Sequence, residues 1–541
     1  MKKILCALLS VLMLLSLLSA CGSTQSSDAT DTSQTEETAE TAVDTAEEPA
    51  AETEEATTQV LGGIIKVGLN AEPSTLYPNN QAAMNQVLPC LYDNLVVYNE
   101  KTHDYDCELA TDYTWDDDLT LTIHLHEGVL FHNGVEMTSK DVYETLFRLS
   151  QNPVLGSNFS AVDFDATECP DDYTIVIHFS SPNAAFISTL ANSSSCITCA
   201  SYYEEVGSDD AYGLAPIGTG PYKMTDWTSG VSITLEAFDE YWNQDNAALN
   251  DGIVFSFIPE DETRIIELQT GGIDIAYNVS VTNTYELEGV DGVQVFSELG
   301  RTWYMLKLNP EYNQALYDQN VRLALMKALD REAIANALFG EYASVLNNWC
   351  AESVLGYTDE VASDLWSYDP DAAKEMLAEA GCSDLTLDIM IYENATLQSI
   401  AEVVANQWSA IGVTVNISVY DQMTWFSYYT ADEFDCIIAS TSNVSGDPDE
   451  STYTTFISTA QNRYKDEKLD ELLDKTRSTT DADARLEAIQ ELYLYFQETV
   501  PQINLFTTYD IYAASTNLNN LPSPTEVSVR TADLRDVTFK S

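Results

Sequence analysis

The chain has 541 residues, 45% of them hydrophobic, with 87 Asp and Glu against 23 Lys and Arg, a formal net charge of −64. So acidic a chain has no electrostatic footprint for nucleic acid or for an anionic lipid surface. Ten cysteines in a chain this long do not make a small disulfide scaffold, and their connectivity is not readable from spacing.

Residues 1–20 read as a secretory signal. Lys2 and Lys3 precede an apolar run from Ile4 to Leu18, short for a membrane span and followed by small residues. Leu18-Ser19-Ala20-Cys21 resembles the lipobox of bacterial lipoproteins, which implies that the Cys21 thiol is lipidated and becomes the new N-terminus; ordinary secretion with a chance cysteine is the alternative. Acyl chains there would anchor the protein to the outer face of the cytoplasmic membrane. Residues 21–61 form an acidic tether: 22–60 hold eleven Asp or Glu and no Lys or Arg, too little apolar surface to fold and enough like charge to stay extended.

The body from residue 62 is long enough for two or three domains. Gly63 to Leu69 is apolar on both faces, as a buried strand is. Leu119 to Leu125 and Tyr173 to Phe179 alternate, as half-exposed strands do. Between them Thr138 and Asp141 make a capping box ahead of a helix over 142–149. Asp369 and Pro370 open a helix that Gly381 stops. Residues 397–410 read as helix, 413–419 as strand, and 484–498 as a helix ended by Pro501. Helix and strand alternate throughout, so the fold class is α/β.

The stretch Pro216 to Tyr222, PIGTGPY, has the glycines of a phosphate loop but not its chemistry. No Lys-Ser/Thr follows, Pro221 removes a backbone donor, and Tyr222 to Trp227 reads as a strand rather than a helix. It is a turn. His124 and His126 share a strand face at chelating spacing, but no third metal ligand is signposted. Cys196 and Cys199 have redox or zinc spacing without a second pair, so a local disulfide or two free thiols is expected. Nucleophile-elbow, metalloprotease and Ser-x-x-Lys motifs are all missing, which favours a binding protein over an enzyme.

Several stretches, in order along the body, resemble the extracellular solute-binding proteins of ABC importers, family 5, the peptide/nickel-type group. They are Gly62 to Gly68 with Glu72 to Leu76, Leu91 to Leu95, Thr122 to Val129 with Phe131 to Gly134, Pro216 to Tyr222, Arg264 to Asp274, Asp318 to Ala333, Tyr368 to Pro370, Ile411 to Val413, and Asp447 to Asp449. The resemblance implies a bilobal periplasmic-binding-protein type II fold with an additional domain inserted in the first lobe. Lobe I would take 62–100, 201–302 and 503–541, the insertion 101–200, and lobe II 303–502. Crossings near Gly300 to Asn309 and Pro501 to Phe506 would form the hinge, and ligand would be sequestered between the lobes on closure.

Family peptide binders hold the ligand's α-amine with an Asp just ahead of the position of Asp447-Pro448. Here that position falls on Val444, and the accompanying aromatic falls on Thr441. Either Asp447 or Asp449 takes over that counter-charge, or the ligand has no free ammonium there; Asn443 and Ser445 offer neutral hydrogen bonds. The resemblance implies further cleft residues at Asn80, Gln81, Tyr304 and Phe506. It implies no cofactor and no metal. The expected partners are a peptide or small-molecule ligand, the importer's permease subunits, and the membrane through the lipid anchor. A receptor for a non-peptide solute or metal chelate, or a surface sensor without transport, are the alternatives.

Overall fold

β1 (Ile64–Leu69) buries Ile65, Val67, Gly68 and Leu69, the pattern of a strand inside a sheet. The structure is a computed structural model and describes residues 59–80, 86–358, 364–458, 464–528 and 532–541. Residues 1–58, which include Cys21 and most of the tether, and also Gln81, lie outside the described residues. The hairpin of β2 (Val96–Asn99) and β3 (Asp104–Cys107) leads into a four-stranded antiparallel sheet. Its strands are β4 (Ala110–Asp117), β5 (Thr120–Leu125), β6 (Val162–Asp171) and β7 (Thr174–Phe179), in the spatial order β4-β5-β7-β6. α1 (Ser139–Ser150) starts at the expected capping box of Thr138 and Asp141 and buries Val142, Leu146 and Leu149.

β8 (Tyr222–Thr228), β9 (Ser232–Ala237) and β10 (Gly252–Phe257) follow as an antiparallel run, and β10 lies parallel to β1. The short β11 (Ile275–Ala276) joins the other side of β1. Next come β12 (Val293–Leu308) and β13 (Ala343–Val345). α2 (Pro370–Glu379), β14 (Thr386–Tyr392), α3 (Ala395–Ala410) and β15 (Thr414–Tyr420) form the alternation read from sequence, with Asp369 accepting from Ala372 N at the start of α2. β16 (Cys436–Ser442) precedes three helices, α4 (Asp449–Phe456), α5 (Glu467–Ser478) and α6 (Ala482–Thr499). β17 (Gln502–Ser515) closes the sequence of elements used below.

One eleven-stranded sheet joins these parts in the order β15-β14-β16-β12-β17-β11-β1-β10-β9-β8, with β13 paired to β17 off that order. Three hydrophobic cores flank it. The first holds Ile65, Val67, Leu91, Tyr222, Ile253, Phe255 and Tyr512. The second is the four-stranded sheet with α1, through Leu121, Ile123, Val142, Leu146, Ile175 and Ile177. The third gathers Leu306, Leu308, Val321, Trp349, Leu387, Ile400, Trp408, Leu492 and Phe496.

β12 and β17 run from the first core to the third as one antiparallel pair. Val293 to Leu299 face Ser515 to Tyr509, and Trp303 to Lys307 face Thr507 to Gln502. The register shifts between Leu299 and Trp303, where Gly300 sits so close to the Asp510 carboxylate that a Cβ would overlap it.

The PIGTGPY stretch is a turn packed on the chain at Leu91 and Tyr92. A Cβ on Gly218 or Gly220 would strike that backbone, and Gly220 N donates to Leu91 O at 3.0 Å. His132 holds the turn from the other side: Gly218 N donates to its Nδ1 at 3.2 Å, and its Nε2 lies 3.0 Å from Gly220 O. The ring therefore donates from Nε2 and accepts at Nδ1. Burial pulls its pKa down to about 4, so it is neutral at pH 7.

All eight cysteines of the body are free thiols. Cys196 Sγ donates to Asn94 Oδ1 at 3.1 Å, and Cys199 Sγ lies 3.4 Å from Ser201 Oγ, so this pair is two separate thiols. His124 is exposed beside Thr174, and His126 stacks on Trp242 at 4.8 Å. Among the described residues no group of three His, Cys, Asp or Glu is placed to hold a metal ion.

Candidate ligand-binding site

Alternation along β12 decides what its residues face. Leu306 and Leu308 enter the third core, and Tyr304 turns the same way, its ring 5.3 Å from Phe506 and 5.8 Å from Phe339. Phe506 is fully buried there. Tyr304 and Phe506, expected to line the cleft, pack on the third core, Tyr304 half-buried. Arg301, Trp303 and Met305 occupy the opposite face, where Trp303 and Met305 pack with Leu346 and Ala439.

On that opposite face four buried polar atoms have no hydrogen-bond partner among the described residues: Arg301 Nε, Trp303 Nε1, Asn443 Oδ1 and Thr507 Oγ1. Their residues are 3%, 1%, 0% and 2% exposed. The register brings them together. Trp303 lies directly between Thr441 of β16 and Thr507 of β17, and Asn443 N donates to Arg301 O at 3.1 Å in the next row. Cross-strand neighbours of this kind have Cβ atoms about 5 Å apart. Buried polar groups are nearly always paired, so four open ones in two adjacent rows mark a place where something else completes them.

The loop after β16 is built on paired charges. Asp447 takes both terminal nitrogens of Arg485, at 2.6 and 2.9 Å, and also accepts from Asp449 N at 2.9 Å. Burial pulls the Arg485 pKa down, but Asp447 outweighs it and holds the guanidinium firmly charged. Asp449 takes Arg477 through two bonds of 2.7 Å, with the guanidinium over the Tyr453 ring. Glu450 accepts from Val444 N, Ser445 N and Ser445 Oγ through one carboxylate oxygen; burial nevertheless leaves its pKa raised. Asp447 and Asp449, the carboxylates expected as ammonium partners, are each bonded to an arginine here. Ser445 belongs to the same frame. Of the residues expected from sequence, Thr441 and Asn443 are the two that join the open strip.

The second core closes over this strip from β2 and β3. Arg301 donates from one terminal nitrogen to Val444 O at 3.0 Å and from the other to Glu100, and its guanidinium lies 5.0 Å from the Tyr98 ring. Tyr98 Oη donates to Ser353 O, and Tyr105 Oη donates to Ser445 O, both at 3.0 Å. Asn80 follows buried Asn79, whose amide donates to Ser194 O and Cys196 O, and Ser194 N in turn bonds Asn192, which reaches Glu450 of the loop after β16. Arg301 and Trp303 were missed in the sequence although a signal existed: Leu306 and Leu308 fix the core face of β12, so odd positions face away from it.

Two halves joined by continuous strands, meeting over buried open valences, describe a fold that encloses a ligand. The family model for bacterial extracellular solute-binding proteins, family 5 Middle, matches residues 105–463. The chain belongs to that family. Heme-binding protein A of Haemophilus influenzae is 26% identical over 449 residues, 76% of this chain and 81% of the relative. The dipeptide-binding protein of Escherichia coli is 25% identical over 451 residues, 76% and 83%. The periplasmic binding protein DppA of Helicobacter pylori, solved with the peptide STSA, superposes with a TM-score of 0.76 at 23% identity, covering 89% of this chain and 99% of that one. This family 5 solute-binding protein has the α/β type II periplasmic-binding-protein fold of those structures.

Proposed function

We propose that this protein is the lipid-anchored receptor of an ABC importer, that it captures peptides between its two lobes, and that it delivers them to the membrane permease without chemical change. The lobes are the body on the first and second cores and the body on the third, with 101–200 as the insertion. The strip of open polar atoms at Arg301, Trp303, Asn443 and Thr507 carries this reading, since it lies where the second core meets the third-core side of the sheet. Ligand must touch both sides to favour closure. Cys21 is the proposed lipidation site and Thr441 and Asn443 the proposed ligand contacts retained from the sequence, with Asn80 and Gln81 proposed on the first-lobe side.

The test is native mass spectrometry of residues 61–541 purified without added ligand, followed by denaturation to identify what is released. A set of short peptides supports the reading, and a single non-peptide species overturns the peptide assignment. The second reading, a non-peptide solute, is favoured by the relative named as a heme-binding protein.

A further inference from the structure

We infer that the ligand meets β12 and the Asn443–Ser445 loop with an uncharged amide, its carbonyl oxygen accepting from Arg301 Nε and Trp303 Nε1 and its N–H donating to Asn443 Oδ1, and not with a free ammonium. This rests on the peptide reading above and names which part of a peptide the loop accepts.

The first ground is what remains unpaired. Arg301 Nε–H and Trp303 Nε1–H can only donate, Asn443 Oδ1 can only accept, and the Thr507 hydroxyl can do either. Two donors beside one acceptor match the two edges of an amide. An ammonium offers three donors and no acceptor, so it would leave both N–H groups orphaned.

The second ground is charge. The carboxylates bonded within this loop or to Arg301 are Glu100, Asp447, Asp449 and Glu450, while Asp510 lies against Gly300, one residue before Arg301. Asp447 and Asp449 each hold an arginine through two bonds, and Glu100 holds Arg301. Glu450 spends one oxygen on three donors of the loop it supports and turns the other toward Asn192 Nδ2 at 3.5 Å. An ammonium brought to Asn443 would be desolvated beside the Arg301 guanidinium, where Glu100, Asp447, Asp449 and Glu450 are each already bonded. A carboxylate would sit next to Glu100, which already occupies the adjacent edge of the same guanidinium. A neutral group meets neither penalty.

The third ground is position. Trp303 Nε1 and Asn443 Oδ1 make no bond among the described residues, although Asn443 spends its amide nitrogen on Asp447 O at 2.7 Å. The Asn443 side chain is thereby fixed by its nitrogen with its oxygen left open, so a ligand is offered an acceptor rather than a rotating amide.

The experiment is calorimetric titration of the folded body with matched tetrapeptides, each with a free N-terminus and N-acetylated, against wild type and Trp303→Phe. Trp303→Phe keeps a buried ring and removes one N–H that has no partner among the described residues, so melting temperature serves as the folding control. Acetylation is expected to leave Kd within threefold or to tighten it. Trp303→Phe is expected to weaken binding about tenfold for both forms. Peptides that bind only with a free N-terminus, with Kd unmoved by Trp303→Phe, overturn the inference and leave the peptide receptor standing. A protein that binds no tetrapeptide in either form overturns both.

Discussion

Gly446 lies against the ring of Tyr98. The glycine belongs to the loop after β16 with φ of +75°, the tyrosine belongs to β2, and a Cβ on Gly446 would overlap the ring. Glycine is needed twice over, for the left-handed backbone and for the close approach. Gly446→Ala is expected to weaken ligand binding at least tenfold, because it holds the two sides apart. Its backbone cost to stability is about 1–2 kcal/mol. Calorimetry alongside thermal melting separates the two effects, and adding Tyr98→Ala is expected to restore part of the lost affinity.

Asp447→Asn is expected to destabilise the fold rather than merely to abolish binding. It leaves Arg485 buried without its partner, which costs about 3–5 kcal/mol. Urea unfolding measures this. Replacing both residues, Asp447→Asn with Arg485→Met, is expected to recover much of the loss. A wild-type unfolding midpoint in the single variant would return Asp447 to the list of ligand contacts.

Asp533 gives the fold an acid-side contribution. Burial raises its pKa from 3.8 to about 6 against the lowering effect of Arg535, whose Nε lies 3.1 Å away. The carboxyl prefers the protonated state when folded. Stability from this group is therefore fully present below pH 3.8 and lost as pH rises through about 6, a swing of about 3 kcal/mol. Asp533→Asn is expected to abolish that swing, read as the difference in unfolding free energy between wild type and variant at pH 7 and pH 4.5.

His132 acts in the opposite direction over nearly the same range. Burial lowers its pKa from 6.5 to about 4, so the unfolded chain takes up the proton first, and stability falls as pH drops below 6.5 by up to about 3 kcal/mol. The two contributions oppose each other over this range, so Asp533→Asn and His132→Asn are expected to change the slope of the wild-type profile in opposite directions. His132→Asn is expected to lose stability at pH 7, where the ring clamps Gly218 and Gly220, and to be comparatively unaffected at pH 4.5. Amide exchange at Gly218 and Gly220 follows the same clamp locally.

Much of this was legible from local chemistry. The capping box at Thr138 and Asp141, the Asp369-Pro370 helix start and the strand after Tyr222 depend on neighbours within a few residues, and each stands where the pattern put it. The PIGTGPY turn was legible as a turn, but its clamp was not, because His132 lies 86 residues before Gly218. The site was less readable for the same reason. Asp447 looked like a ligand counter-charge until Arg485, 38 residues on, was seen to take both its oxygens. Tyr304 and Phe506 are cleft residues by the resemblance, and strand alternation set by Leu306 and Leu308 packs them on the core face while Arg301 and Trp303 take the other side, which the resemblance alone does not show.

The β12–β17 pair carries one last consequence. Because the same two strands are built into both halves, separating the halves bends a single hydrogen-bonded ribbon whose register is irregular at Leu299/Trp303 and again at Tyr304/Met305. If the lobes close as proposed, the molecule works like a caliper on this pivot: a partner gripping both outer rims reads a gap width, and that width reports a filled interior without touching the contents.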